Sequence, residues 1–238
     1  MPKLICVTLL MALWVYPSLL MLSASGVAAT LEKPERQRSG ARFGGTFRRM
    51  LGHDPATLDP ALKTDIYAGA VVRQLFNGLV QFDADLRLIP DLAEFWETSR
   101  DGLTWTFTLR QGVKFHHGRE MTAQDVVYSF TRLLNPDKSL PVTELFKTIQ
   151  GSKAFIQGKT PQVQGLKALD RYTLQIVLEE PLAHFLAVLG LDHAVVVPQD
   201  EIEKLGGGFG RAPVGTGPFK FVRWQPNQEI VLTANEQV

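Results

Sequence analysis

The chain has 238 residues, of which 45% are hydrophobic and 21% are charged, with 25 Lys and Arg against 24 Asp and Glu. This is the composition of an ordinary globular protein, large enough for one or two domains and a sizeable core. It excludes a disordered tail, a collagen-like fibre and a disulfide-stapled miniprotein. The formal net charge of +1 argues against a nucleic-acid-binding protein, which concentrates basic charge on one face.

The first 29 residues have the pattern of a secretory signal peptide. Lys3 precedes the uncharged apolar run Leu4–Leu22, and small residues follow up to Ala29. We predict cleavage after Ala29 and export. The alternative is an uncleaved membrane anchor, because the run is nearly long enough to span a bilayer, but Pro17 within it favours cleavage. Cleavage would remove Cys6, the single cysteine, and with it any disulfide, thiol nucleophile or thiolate ligand.

The remaining chain mixes strand and helix patterns irregularly. Residues 30–44 are polar and rich in charge, which predicts a flexible leader. In the first half of this remaining chain, the patterns predict a strand at Gly45–Leu51, a helix at Ile66–Phe76 and a strand at Leu79–Phe82. A further strand is predicted at Thr104–Leu109, with Val113–Phe115 pairing back on it. The helix that follows is opened by a capping box at Thr122 and Asp125 and is ended by Asn135 and Pro136. The second half predicts a strand at Tyr172–Leu178, a helix at Leu182–Leu189, a short buried strand at Ala194–Val197 and a hairpin at Phe219–Leu232. Such a mixture is typical of an α+β or mixed α/β fold and not of a strict βαβ repeat.

Familiar catalytic and metal-binding motifs are missing from the sequence. It contains no Gly-x-Ser-x-Gly, His-Glu-x-x-His or Gly-Lys-Ser/Thr motif. The glycine-rich stretch Gly206–Gly210 predicts a flexible surface turn, since no Lys-Ser/Thr follows it. His116 and His117 would point to opposite faces of a strand, so they predict a polar turn and not a metal site. We therefore predict no catalytic residue, no metal and no cofactor.

Ordered sequence blocks provide a more specific signal. Leu103–Gly118 reads LTWTFTLRQGVKFHHG and runs into Met121–Phe130, which reads MTAQDVVYSF. Together they resemble the signature of the family 5 extracellular solute-binding proteins, the periplasmic dipeptide, oligopeptide and nickel receptors of ABC importers. Other matching blocks follow the family's order and are Gly44–Phe47, Thr57–Pro60, Leu75–Val80, Pro90–Ala93, Val214–Phe219 and Asn235-Glu236. His117 departs from the family pattern, which commonly has an acidic residue before the glycine.

The resemblance implies a periplasmic-binding-protein-like fold of type II, with two lobes around a cleft. It assigns residues 45–85 and 195–238 to the core of lobe one, and residues 86–194 to a subdomain inserted into that lobe. Family members are considerably longer than this chain. We therefore expect a truncated, N-terminal portion from which the second lobe is largely missing.

The same resemblance implies a receptor without enzymatic activity, acting as a monomer in the periplasm. It would capture a small-molecule or peptide ligand between its lobes by hinge closure and deliver it to a membrane permease and its ATPase, without a nucleic-acid partner. Peptide is the predicted ligand class, but dipeptides, oligopeptides, nickel and sugars all remain open. Two alternatives are a sensor or scaffold on the same fold, and a secreted hydrolase that uses His53 and Asp54 with distant residues.

Candidate ligand-binding residues follow from the loop after the predicted first strand. This segment is expected to line the cleft, and Gly52 would let a ligand approach the main chain closely. The six candidates are Leu51, Gly52, His53, Asp54 and, as weaker ones, Tyr67 and Asn77. For each of them an ordinary loop or packing role is the alternative interpretation.

Overall fold

A computed structural model describes residues 44–136, 140 and 142–237. The predicted signal peptide, and the predicted leader apart from Gly44, lie outside the described residues. The chain divides into one unit that ends at Arg48 and a second that begins at Arg49. All helices and strands named below belong to the second unit.

Short helices and strands alternate along this unit. The helices are α1 (Ile66–Leu75), α2 (Ala123–Leu133), α3 (Thr143–Phe146), α4 (Ser152–Ile156), α5 (Phe185–Leu189), α6 (Gln199–Leu205) and a 3₁₀ helix at Gly206–Arg211. The strands are β1 (Val80–Phe82), β2 (Leu88–Pro90), β3 (Ala93–Thr98), β4 (Thr104–Leu109), β5 (Leu166–Ala168), β6 (Thr173–Val177), β7 (Phe219–Gln225) and β8 (Glu229–Ala234). The mixed α and β content agrees with the predicted fold class.

An antiparallel sheet of four strands, in the order β3-β4-β6-β5, forms the largest layer. Phe107 on β4 lies opposite Trp96 on β3 and Leu174 on β6. Phe107 and Leu109 are buried, whereas the intervening Thr108 is only partly buried. The predicted period-two alternation of this strand is therefore confirmed.

Helix α2 packs its apolar stripe into the same core. The backbone N–H of Thr122 donates to the Asp125 carboxylate at 2.9 Å, within the predicted capping box. Val126, Phe130 and Leu133 are buried at helical spacing, and the Phe130 ring lies 5.3 Å from that of Phe146, measured between ring centroids. The helix ends at Leu133, just before the predicted Asn-Pro stop.

Two hydrophobic clusters organise the unit. The larger cluster joins the four-stranded sheet to α2 and α5 through buried side chains that include Phe107, Phe130 and Phe185. The smaller cluster joins α1 to Leu58 and Phe209, and partly buried side chains of the β7–β8 hairpin, such as Trp224, pack against it. This second cluster lies beneath the loop that contains most of the candidate residues.

The predicted strand at Gly45–Leu51 is wrong, because no strand is present over these residues. Phe47 and Met50 are 88% and 92% exposed. A strand requires a neighbour to bond its N–H and C=O groups, and none of the described strands pairs with this stretch.

Three other local predictions also need correction. Val113–Phe115 pairs with residues 119–121 and not with β4, because β3 and β6 already occupy both edges of that strand. Ala194–Val197 is buried as predicted, but it forms only an isolated bridge, between Val195 and Gly78. The glycine-rich stretch is a 3₁₀ helix with Phe209 and Gly210 buried, and not a flexible surface turn.

No helix among the described residues is long and apolar enough to cross a membrane.

Candidate functional site

The loop Leu51–Asp54 lies against helix α1. Gly52 has a φ of +91°, in the left-handed region that glycine adopts readily, and a Cβ there would lie 3.0 Å from Tyr67 Cε1. The His53 ring stacks on the Tyr67 ring, with centroids 5.9 Å apart and planes at 26°. Leu51 packs against the smaller hydrophobic cluster. The structure thus brings Tyr67 together with the predicted loop.

Trp224 on β7 anchors the end of this loop and was not among the predicted candidate residues. Its Nε1–H donates to Asp54 Oδ1 at 2.9 Å. The Arg211 guanidinium lies 3.8 Å from the centroid of the Trp224 ring, at cation–π distance. Asp54 and Trp224 are 170 residues apart in sequence, so no local spacing connects them.

The chemistry available at this loop is hydrogen bonding and aromatic contact. Gly52 and His53 are exposed, and Tyr67 is partly buried. His53 Nδ1 donates to the main-chain carbonyl of Asp54 at 2.7 Å, whereas the Asp54 carboxylate accepts from Trp224. The imidazole is therefore not oriented by the carboxylate, as a nucleophile-activating His–Asp pair requires.

Asn77 makes its contacts elsewhere. Its Nδ2 donates to Asp91 Oδ1 at 2.9 Å, its Oδ1 accepts from Thr216 Oγ1 at 3.0 Å, and its backbone carbonyl accepts from Val196 N–H at 2.9 Å. It lines an open cavity of about 560 Å³ that also includes Arg110. Burial raises the pKa of Asp91, although hydrogen bonds from Asn77 and Gly78 oppose the change. These bonds tie Asn77 to three other segments of the chain, at residues 91, 196 and 216.

A charged cluster around Asp192 borders a second cavity, of about 300 Å³, beside α1. Lys63 Nζ lies 2.8 Å from Asp192 Oδ1, and Arg73 lies 2.9 Å from Oδ2. Burial disfavours the charged form of Asp192 and would raise its pKa. This effect is outweighed by hydrogen bonds from His193 and Lys63 and by the positive charges of Lys63 and Arg73, so the pKa lies well below its usual range. No local sequence pattern points to this cluster, because Asp192 is far from Lys63 and Arg73 in sequence.

The two adjacent histidines bond to different partners. The His116 ring contacts Gly215 and Gly217, whereas His117 Nε2 lies 3.1 Å from Asp200 Oδ2. Within the described ranges, no group of three His, Cys, Asp or Glu side chains could hold a metal ion.

Comparison with known proteins gives these features a context. Residues 87–238 match the family described as bacterial extracellular solute-binding proteins, family 5 middle. The periplasmic oligopeptide-binding protein OppA of Salmonella typhimurium is 34% identical over 197 residues, which cover 81% of this chain and 36% of that protein. The glutathione-binding protein GsiB of Salmonella paratyphi A is 34% identical over 174 residues, which cover 73% of this chain and 31% of that protein. The crystal structure of Haemophilus influenzae OppA in complex with RPPGFSPFR matches with a TM-score of 0.74 and 29% identity, covering 79% of this chain and 37% of that one.

The chain thus spans about a third of the length of the relatives that it matches. These relatives are solute-binding proteins and not enzymes. The family match extends over more than half of the chain, and the structural likeness covers most of the described residues. The chain therefore belongs to family 5 of the bacterial extracellular solute-binding proteins.

Proposed function

We propose that this chain forms one side of a peptide receptor that serves an ABC importer. The similarity to the oligopeptide-binding protein OppA over 81% of the chain supports this proposal more than any other observation. In this proposal the protein is exported by the segment ending at Ala29 and works as a periplasmic monomer. It captures peptide in a cleft between two lobes and presents it to a permease and its ATPase.

The smaller hydrophobic cluster supports the proposed domain division, although the larger cluster also takes buried residues such as Leu79 and Val196 from the proposed lobe core. The smaller cluster draws its buried residues from the stretches 58–76 and 195–209, in keeping with a lobe core built from residues 45–85 and 195–238. The four-stranded sheet lies between residues 93 and 177, in keeping with an inserted subdomain at 86–194. The ligand wall would then be on the part built around α1.

The loop Leu51–Asp54 and Tyr67 are the proposed ligand contacts on this wall. A bound peptide offers an amide or carbonyl group at every residue, and an exposed main chain at Gly52 can approach such groups closely. The stacked rings of His53 and Tyr67 offer apolar contact beside it. Asn77 remains a weaker candidate, because its side-chain amide is already bonded to Asp91 and Thr216.

A hybrid receptor tests this proposal directly. Residues 44–237 replace the matching third of the Salmonella OppA chain, and peptide affinity is measured by calorimetry after circular dichroism has confirmed folding. We expect the hybrid to bind peptide. Gly52→Val and Tyr67→Ala should weaken binding by about tenfold or more, equivalent to at least ~1.4 kcal/mol. His184→Ala is the matched control, because His184 is exposed and lies outside the loop.

Two results would contradict the proposal. A folded hybrid that binds no peptide would refute the function, and loop variants that behave like His184→Ala would refute the site. The chain alone should bind peptide weakly or not at all, since closure between lobes supplies much of the contact. Nanomolar binding by the chain alone would show that this last expectation is wrong.

A further inference from the structure

The ring of His116 joins two segments that are far apart in sequence. The Gly215 N–H donates to His116 Nδ1 at 3.1 Å, and His116 Nε2 lies 3.1 Å from the Gly217 carbonyl oxygen. The backbone N–H of His116 also donates to the Gly215 carbonyl at 2.8 Å. Residues 115–118 are thus fastened to the loop 213–218 through both ring nitrogens and the main chain.

These partners determine the protonation state of the ring. A backbone N–H can only donate, so Nδ1 must be an unprotonated acceptor. A carbonyl oxygen can only accept, so Nε2 must carry the hydrogen. A neutral imidazole with hydrogen on Nε2 satisfies both bonds, whereas imidazolium would place a second hydrogen against the Gly215 N–H.

The surroundings of His116 also favour the neutral ring. The side chain is partly buried, and the loop 213–218 contains no ionisable residue. Burial lowers the pKa of His116, the bond to Gly217 opposes this, and the charges of Lys220 on β7 and of the neighbouring His117 lower it further. The carboxylate of Asp200 lies 3.1 Å from the ring of the neighbouring His117.

On its other side, the loop 213–218 is packed tightly against the end of α1. The Gly217 N–H donates to the Leu75 carbonyl at 2.9 Å, and a Cβ on Gly215 or Gly217 would collide with the main chain at Leu75. Thr216 donates to the Asn77 side chain at 3.0 Å. The loop is therefore held between α1 on one side and His116 on the other, immediately before β7 begins.

We propose that His116 is a proton-sensitive latch, which fastens residues 115–118 to the loop 213–218 while the ring is neutral. Protonation of Nδ1 removes the acceptor of the Gly215 N–H and so loosens this contact. The latch is independent of ligand and of the proposed transport function.

The direction of the pH effect follows from linkage. A histidine in the unfolded chain titrates near 6.5, and the pKa of His116 in the folded protein is lower. The latch therefore contributes fully above pH ~6.5 and is lost as the pH falls through the folded pKa. Each unit of pKa depression corresponds to about a tenfold preference of the closed latch for the neutral ring.

Nuclear magnetic resonance of the full chain tests the latch without any substitution. Long-range proton–nitrogen spectra should show His116 at pH ~7.5 with hydrogen on Nε2 and with Nδ1 unprotonated. The ring should titrate with a midpoint below 6.5. The hydrogen-exchange protection factor of the Gly215 amide should fall across that same midpoint, by about tenfold per unit of depression. Hydrogen on Nδ1, a midpoint at or above 6.5, or protection unchanged across the midpoint would each overturn the proposal.

A pair of variants provides the matched comparison. His116→Gln removes the titrating group, so the step in Gly215 protection should disappear. His184→Gln removes an exposed histidine outside the latch and should leave the step unchanged. Persistence of the step in His116→Gln, or its loss in His184→Gln, would refute the assignment to His116.

Discussion

Replacing Asp59 with Ala will leave Arg132 of α2 without the carboxylate that neutralises it. Arg132 donates to both carboxylate oxygens of Asp59, with its Nη1 2.8 Å from Oδ1. The side chain of Asp59 is only 3% exposed, and that of Arg132 is 13% exposed. Asp59 Oδ1 also accepts from the Ala61 N–H at 3.0 Å, so the substitution removes a turn contact as well. The pair links the stretch after the candidate loop to the helix that packs in the larger core.

The burial of this pair sets the size of the effect. Removing one partner of a buried ion pair costs about 3–5 kcal/mol, because the other charge stays buried and unpaired. For a domain of this size, that corresponds to a fall in Tm of about 6–20 °C. Arg223 and Glu229 form the control pair, since they are 53% and 47% exposed on the terminal hairpin. Glu229→Ala should cost less than about 1 kcal/mol.

Urea unfolding of the full chain measures both effects. A double variant, Asp59→Ala with Arg132→Met, removes both charges and should lose less stability than the sum of the single variants. If Asp59→Ala is no more destabilising than Glu229→Ala, the buried Asp59–Arg132 pair does not stabilise the fold as predicted. Strict additivity in the double variant would show that the two side chains do not interact.

Two further predictions concern other contacts of this unit. Gly215→Ala should lower the free energy of unfolding, measured in urea, by about 1–3 kcal/mol, because the new Cβ would collide with the Leu75 carbonyl. In the control variant Gly207→Ala, no atom lies within 4 Å of the new Cβ, so the free energy of unfolding should change by less than ~0.5 kcal/mol. Similar losses in the two variants would contradict the packing argument. Asp192→Asn should destabilise the protein near pH 7, and the difference from wild type should shrink as the pH falls below 3.8, because the pKa of Asp192 is depressed in the folded state. A difference that stays constant with pH, measured by urea unfolding, would show that the ionised carboxylate is not the source.

Local sequence patterns predicted elements whose signals lie within a few residues. Strand β4 has a clean alternation, and α2 has both a cap and helical periodicity. Strand β3 was not predicted because Phe95 and Trp96 are adjacent, so apolar and polar residues do not alternate along it. Its burial is equally irregular, since Phe95 is 50% exposed. The pairing of Val113–Phe115 was wrong because strand adjacency is decided by the whole sheet.

The candidate site shows the same division between local and distant information. Tyr67, Gly52 and His53 were all predicted as candidate ligand-binding residues. Their contacts with one another could not be predicted, because these depend on tertiary packing. The bond from Trp224 to Asp54 spans 170 residues and has no local signature. The hydrogen bond from the Asn77 side-chain amide to Asp91 likewise could not be predicted, because the periodicity of the sequence does not reveal such partners.

The order of strands in the large sheet has a consequence for how the protein assembles. Strand β4 pairs on one edge with β3, its neighbour in sequence. Its other edge pairs with β6, which lies beyond α2, α3, α4 and β5 in the chain and is therefore synthesised later. A polypeptide that emerges from its N-terminus, whether from a ribosome or through a membrane channel, therefore presents a β3–β4 ribbon in which the inner edge of β4 is bare for that interval. Unpaired edges recruit strands from other chains, and long-range pairing is slow to replace them. Aggregation of the incompletely emerged chain would accordingly begin at β4, where the large apolar side chain of Phe107 still lacks its opposite neighbour Leu174.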